Sequence, residues 1–322
     1  MLIIGTQDTA KISEHISKIN ENKHIDYFIV DYSEFANKET YIKLPPELIK
    51  NQDVLIISDP NAYNNEDQEI SLNDRLFQTF MIIQTAKKFQ ANSVNVFFTC
   101  FPYSRQDNSS NKKWEPDSLQ ILISFLETLG VSNVITFDIH NIYTKLAFKD
   151  TNFVNIEALD FLQKAYQKMD LQNPLLVPTD EWWTKKIKSF AESLELPNIV
   201  VDKSRDYSKP NSVNKINVYN DISWKDLIIY DDILDTWWSL CQLIQELNKQ
   251  KPASVNIAVS HWMFNWTAFE KLNKEYQNWN FQKIYTTNSI KRENLPKYIE
   301  TVNIDDIINH KIQQLFFNNK KC

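Results

Sequence analysis

Apolar residues along this chain fall into two alternating rhythms. Short runs rich in β-branched and aromatic residues occur at 2–4, 27–30, 54–57, 94–98 and 134–137. Between them, apolar positions recur at helical spacing over 11–19, 74–89 and 118–129. After about residue 150 the alternation restarts. Strand-like runs lie at 175–177, 199–201, 227–230, 255–259 and 283–286, with helical patterns at 159–168, 185–194 and 240–247. Strand alternating with helix predicts βαβ units, in which helices cover a parallel sheet. The pattern predicts an α/β protein with two domains, residues 1–151 and 152–322, the last helix packing back on the first domain. One polar stretch, DYSKPNSVNKINVYN at 206–220, reads as a mobile loop or a hairpin near a site.

Composition narrows the function classes. Hydrophobic content of 43% and charged content of 24% describe a globular chain, and no apolar run approaches the ~18 residues of a membrane span. The start, MLIIGTQDTAKISEH, has no basic segment leading into an apolar one, so a cytoplasmic location is expected. Three scattered cysteines, Cys100, Cys241 and Cys322, fit a reducing compartment and lack zinc-site spacing. A net charge of -6 argues against nucleic acid as partner. Basic residues are almost all lysine; Arg75, Arg105, Arg205 and Arg292 are the four arginines.

Several polar clusters follow predicted strands, where open parallel sheets bind ligands. DDILDTWWSL at 231–240 supplies Asp231, Asp232 and Asp235 for sugar hydroxyls, then Thr236, Ser239 and a helix start for a phosphate. A solvated acidic turn with a helix cap is the plainer reading of the same residues. FPYSRQD at 101–107 offers Arg105 and Gln106 to a base or phosphate, or a loop ion pair with Asp107. Asp138, His140 and Asp180 could hold a divalent ion, although Mg²⁺ prefers oxygen and imidazole would be an unusual ligand. Lys203 and Arg205 could close over a polyphosphate or form an ordinary basic surface.

Taken in order, these stretches resemble the ribose-phosphate pyrophosphokinase family over nearly the whole chain. The likeness runs through FANKET, NDRL, FPYSRQD, LGVSNVITFDIH, PTDEWWTKK, VDKSRD, DLIIYDDILDT, SHWMFNW and YTTNSI. It implies two phosphoribosyltransferase-like (Rossmann-like) α/β domains, the first on the ATP side and the second binding ribose 5-phosphate. It implies ATP at Phe35, Asn37, Glu39, Arg105 and Gln106, with Phe35 stacking on adenine from a neighbouring subunit. Ribose 5-phosphate would sit at Asp231, Asp232, Asp235, Thr236, Trp237, Trp238 and Ser239. Mg²⁺ would be held by His140 and Asp180, with Asp138 a third candidate, and Lys203 and Arg205 would be the catalytic cations. The ribose 1-hydroxyl would attack the β-phosphorus of ATP and release AMP. A homo-oligomer built from dimers, up to a hexamer, is also implied, with neither nucleic acid nor membrane as partner.

Glycine and tryptophan depart from that family pattern. The chain has 2 glycines, Gly5 and Gly130, where a typical share of about 7% would give roughly 22. Its 9 tryptophans stand mostly among turn formers and solvated residues. All nine match positions at or beside family glycines, most clearly Trp182, Trp183, Trp237, Trp238, Trp262 and Trp266; Trp114, Trp224 and Trp279 match more loosely. The pattern points to UGA codons read as glycine by the organism and as tryptophan in this translation. If Trp237 and Trp238 are genuine, the expected role becomes a non-catalytic, regulatory homologue. A phosphoribosyltransferase would share the DDILDT turn but leaves FPYSRQD and the second α/β half unexplained.

Overall fold

The computed structural model describes residues 1–61, 70–106, 116–179, 181–199, 201–205, 213–218, 220–235, 238–263, 272–273, 276, 281–292 and 294–317, leaving side chains at 181–187, 201–205, 213–217 and 239 outside the description. Two compact units result: Met1–Glu157 with Ser289–Arg292 and Ile304–Cys322, and Ala158–Asn288 with Glu293–Asn303.

The first unit opens with β1 (Leu2–Thr6), α1 (Ala10–Lys18) and β2 (Asp26–Val30). A short antiparallel hairpin follows, β3 (Tyr32–Glu34) and β4 (Thr40–Ile42), then the single turn α2 (Pro46–Ile49). Next come β5 (Asp53–Ser58), α3 (Leu72–Lys88), β6 (Ser93–Phe98), α4 (Ser118–Thr128), β7 (Asn133–Phe137) and β8 (Asn152–Ile156). Six of these strands form one parallel sheet in the order β2-β1-β5-β6-β7-β8. Val54, Leu55, Ile56 and Ile57 have no exposed surface, as expected of a central strand covered on both faces.

Local chemistry sets where the helices begin and end. Ser71 Oγ accepts the Asp74 N–H (3.2 Å) while Asp74 Oδ2 accepts the Ser71 N–H (3.0 Å). This reciprocal cap starts α3 within the NDRL segment. α4 ends at Gly130, whose φ of 72° is the left-handed geometry that glycine tolerates best. Gly5 is required for a different reason: a Cβ there would lie 2.4 Å from Ser13 Oγ of α1.

The second unit contains α5 (Leu159–Tyr166), β9 (Pro174–Pro178), α6 (Glu181–Leu194), β10 (Val201–Arg205), β11 (Val213–Val218) and β12 (Asp226–Leu234). It continues with α7 (Trp238–Asn248), β13 (Ser254–Trp262), β14 (Phe281–Thr287) and β15 (Ile299–Val302). Its parallel sheet has the order β15-β14-β13-β12-β9, and β10 pairs with β11 as a separate antiparallel hairpin. The last helix, α8 (Asp305–Phe316), belongs to the first unit and packs against α1. Asn20 at the end of α1 donates to Asn309 Oδ1 (2.6 Å) and accepts from Gln313 Nε2 (2.8 Å). Among the described residues no helix is long and apolar enough to cross a membrane.

Two predicted strands differ from those observed. The run at 199–201 yields β10 only from Val201, so Lys203 and Arg205 lie on a strand rather than at the mouth of a loop. The strand predicted at 227–230 continues to Leu234, because β13 is long enough to pair Asp231 with Val259, Ile233 with His261 and Leu234 with Trp262.

Ten described residues other than glycine have positive φ: His24, Lys38, Asn51, Gln90, Tyr103, Asp138, Glu195, Trp224, Lys251 and Asn294. Asparagine, the usual substitute, fills two of them, so ordinary side chains carry most of these turns. The tryptophans divide. Trp262 is 1% exposed inside the second core, where an indole is well used. Trp224 is 75% exposed at φ 60°, and Trp238 is 49% exposed at the first position of α7.

Candidate functional site

The C-terminal edge of the first sheet collects the polar residues of this unit. β6 delivers the segment Thr99 to Gln106. Phe101 anchors it in the core, edge-on to Phe98 and Phe153, and the Gln106 N–H closes a turn on the Tyr103 carbonyl (2.9 Å). Tyr103 sits at φ 58° in that turn, which sets Arg105 and Gln106 at its exposed end. The neighbouring strand β7 delivers Asp138, fully buried at φ 45°, and half-buried His140 two residues on. Arg105, Gln106, Asp138 and His140 therefore leave adjacent parallel strands at the same edge.

Phe35, Asn37 and Glu39 lie on the tip joining β3 and β4. The Phe35 N–H donates to the Glu39 carbonyl (2.9 Å), the Lys38 N–H to the Phe35 carbonyl (2.9 Å), and the Glu39 N–H to Asn37 Oδ1 (3.3 Å). Lys38 at φ 70° completes the tight tip. Phe35 is 57% exposed and tilted against Tyr41 at 5.0 Å, so its ring is available to a planar ligand. A recess below the hairpin is lined by Phe28, Asp31, Tyr41 and Lys43.

A second set of charges at this edge was not predicted. Asp8, just past β1, forms an ion pair with Arg75 of α3, and both side chains are more than nine-tenths buried. Asp59, just past β5, is 4% exposed; burial, reinforced by the nearby Asp8 carboxylate, pushes its carboxyl up to about 7. Burial, and then Asp8, also raises the Tyr32 phenol above its ordinary range. Arg75 was singled out by the scarcity of arginine. Nothing in the residue pattern marked Asp8 or Asp59, which stand alone among apolar or turn residues.

In the second unit, Asp231 and Asp232 lie on the C-terminal part of β12. Asp232 is 2% exposed and Asp231 half-buried, and the Asp232 N–H donates to Asp231 Oδ1 (3.1 Å). Half-buried Asp235 follows, and α7 begins at Trp238. Strand, acidic pair and helix start thus succeed one another at the C-terminal edge of a parallel sheet. Thr236, Trp237 and Asp180 lie outside the described residues, as do the side chains of Ser239, Lys203 and Arg205. The backbone of Lys203 pairs with Ile216 and that of Arg205 with Val213, with a register shift between Ser204 and Arg205.

The donors proposed for Mg²⁺ fit it in part. Asp138 supplies the oxygen this ion prefers and His140 the less usual imidazole, so phosphate oxygens and water would complete its shell. Among the described residues no three His, Cys, Asp or Glu side chains cluster as a metal site.

Comparison with known proteins adds three findings. Residues 1–130 match the family model described as the N-terminal domain of ribose phosphate pyrophosphokinase. The ribose-phosphate pyrophosphokinase of Mycoplasma pneumoniae is 26% identical over 87% of this chain and 82% of its own. Ribose-phosphate pyrophosphokinase 2 of Saccharomyces cerevisiae is 27% identical over 88% and 84%. The crystal structure of phosphoribosylpyrophosphate synthetase from Mycobacterium smegmatis superposes with a TM-score of 0.83. It is 20% identical and covers 98% of this chain and 99% of its own, a likeness of fold that extends to both phosphoribosyltransferase-like units. Residues 1–130 thus match that family's N-terminal domain, and most of the chain is similar to ribose-phosphate pyrophosphokinases.

Proposed function

We propose that the protein is a ribose-phosphate diphosphokinase that transfers the β,γ-pyrophosphoryl group of ATP to the 1-hydroxyl of ribose 5-phosphate. The observation that carries this reading is the acidic pair Asp231–Asp232 at the C-terminal end of β12, immediately before the start of α7. Carboxylates accept hydrogen bonds from the ribose hydroxyls, and the amides at the helix start attract the 5-phosphate. Arg105, Gln106, Asn37 and Glu39 hold ATP, with the exposed ring of Phe35 stacking on adenine from a neighbouring subunit of a homo-oligomer. Bound Mg²⁺ would neutralise phosphate charge, with His140 and Asp180 as its candidate ligands and Asp138 a third.

In the reaction the 1-hydroxyl oxygen forms a bond to the β-phosphorus. The bond from that phosphorus to the α,β-bridging oxygen breaks, AMP leaves, and the hydroxyl proton passes to solvent. Little covalent work falls to the protein. Lys203 and Arg205 hold the transferring group and offset its charge, so catalysis rests on position and electrostatics. The test is AMP release that requires both ribose 5-phosphate and Mg²⁺, with phosphoribosyl pyrophosphate identified by mass. ATP hydrolysis that ignores ribose 5-phosphate would refute the assignment.

A second reading follows from positions 237 and 238. Two genuine indoles in the phosphate turn would compete with the ligand for space, and the chain would then be a non-catalytic, regulatory partner of active subunits. The nine tryptophan codons separate the two: UGA throughout favours glycine and the enzyme, UGG the regulatory partner.

A further inference from the structure

Asp59 forms the centre of a set of contacts that the nucleotide reading leaves unused. Its Oδ1 accepts the Asn61 N–H and its Oδ2 the Lys291 N–H, each at 3.1 Å. Asn61 in turn donates from Nδ2 to the Cys100 carbonyl (3.2 Å). Cys100 is buried and heads the segment that ends in Arg105 and Gln106. One carboxylate therefore joins the end of β5, the start of the Arg105 segment and residues 289–292, a stretch 232 positions away in sequence. Among the described residues the charged side chains that act on it are Asp8 and Arg75, already paired with each other. A buried carboxylate costs several kcal/mol unless its oxygens are hydrogen-bonded, and here main-chain N–H groups do that work.

We propose that Asp59 is a positioning residue for nucleotide binding: it fixes Asn61, and through Asn61 the place where Cys100 starts the Arg105–Gln106 turn, while tying segment 289–292 to the same point. This rests on the assignment of Arg105 and Gln106 to ATP. Because burial raises the Asp59 carboxyl to about 7, the tie also changes charge across the neutral range.

Two variants of the full chain test it. Asp59→Asn keeps the shape but replaces one acceptor with a donor; Asn61→Ala removes only the bond to Cys100. Amide hydrogen exchange is expected to quicken about tenfold, the equivalent of one net hydrogen bond, in segment 100–106 for both variants. In 289–292 it should quicken only for Asp59→Asn. ATP affinity, measured by calorimetry with a non-hydrolysable analogue, is expected to fall about tenfold in each variant, while ribose 5-phosphate affinity is unchanged. Between pH 6 and 8 the ATP affinity of the unsubstituted chain should change more steeply than that of Asp59→Asn, in which only the nucleotide and the remaining groups titrate. Unchanged exchange with intact ATP binding would overturn the positioning role alone. An unsubstituted chain that binds no ATP would overturn the nucleotide assignment, and this role with it.

Discussion

At the N-terminal edge of the first sheet, five side chains hydrogen-bond in a single direction. Asn152 donates to Asn133 (2.7 Å), Asn133 to Asn95 (2.6 Å), Asn95 to Ser93 (3.1 Å) and Ser93 to Asp53 (2.7 Å). At the opposite edge, a buried Asp8–Arg75 pair lies near buried Asp59, and Tyr103 and Asp138 hold left-handed backbone. Arg75 Nε and Nη2 and Thr99 Oγ1 find no hydrogen-bond partner there among the described residues. Both edges face the same core strands, so the difference is not one of burial. One edge satisfies its polar groups locally and joins neighbouring strands. The other keeps buried charge and open donors, which persist where a site needs them.

The largest expected effect breaks the charged edge. Arg75→Met leaves Asp8 buried without its cation and beside Asp59, at a cost of about 3–5 kcal/mol in urea denaturation. The double variant Asp8→Asn, Arg75→Met should recover most of that loss. Recovery of less than half would mean that Arg75 acts by packing rather than charge. Next comes pH. Asp59 is raised from 3.8 to about 7 in the folded chain, so the fold binds its proton more tightly than the unfolded chain does. Stabilisation from that proton is complete below about pH 4 and lost as pH rises through 7, a difference on the order of a few kcal/mol. Relative to Asp59→Asn, the unsubstituted chain should lose melting temperature between pH 4 and 7. Parallel profiles would show that Asp59 is ionised throughout.

Five strands of the first sheet were legible because each is dominated by apolar residues, and its helices because each has a readable face or cap. β3, β4, β8 and β15 were not: TYI at Thr40–Ile42 and IETV at Ile299–Val302 are too short for a period to register. A last helix packing back on the first domain was expected, but its bounds and its contacts with Asn20, from the far end of the chain, were not read from the pattern. The position of Arg105, His140 and Asp231–Asp232 at or just past strand ends was legible through the order of motifs after successive strands. Asp8 and Asp59 were not, and Arg75 stood out only as a rare arginine, because their meeting depends on how β1, β5 and α3 are placed in space. Isolated acids carry no spacing signal of their own.

The second sheet repeats the N-terminal device and adds a flaw that sharpens the comparison. Asp226, first in β12, accepts from Ser254 Oγ (2.6 Å), as Asp53 does from Ser93, and from the N–H groups of Gln172 and Asn173. Burial opposes its charge, but these bonds prevail and hold its carboxyl below the ordinary range. Two residues before it, Trp224 takes φ 60° with three quarters of its surface in water. Its neighbours close a turn, the Lys225 N–H donating to the Ile222 carbonyl (3.2 Å). Strain on a structural edge has no function to explain it, and glycine removes it. Trp224→Gly is expected to stabilise the chain by ~1–2 kcal/mol in urea denaturation. Trp262→Gly should instead destabilise it by leaving a cavity in the second core. A Trp224→Gly variant less stable than its parent would remove the conformational argument for glycine at that position.

The smallest effect lies in the ladder itself. Asn133 both donates to Asn95 and accepts from Asn152, so Asn133→Ala breaks two links at once. The site is only partly buried, and water can reach the groups left behind. The expected cost is therefore about 1 kcal/mol rather than the several of a buried charge. Asn152→Ala, which breaks one exposed link, should cost less still. Neither variant should change ATP affinity, because the ladder lies at the strand starts and the Arg105 turn follows the strand ends. If Asn133→Ala weakened ATP binding as much as Asp59→Asn, the two edges would not be independent. The contrast between a structural edge and a functional one would then have to give way to a single coupled sheet.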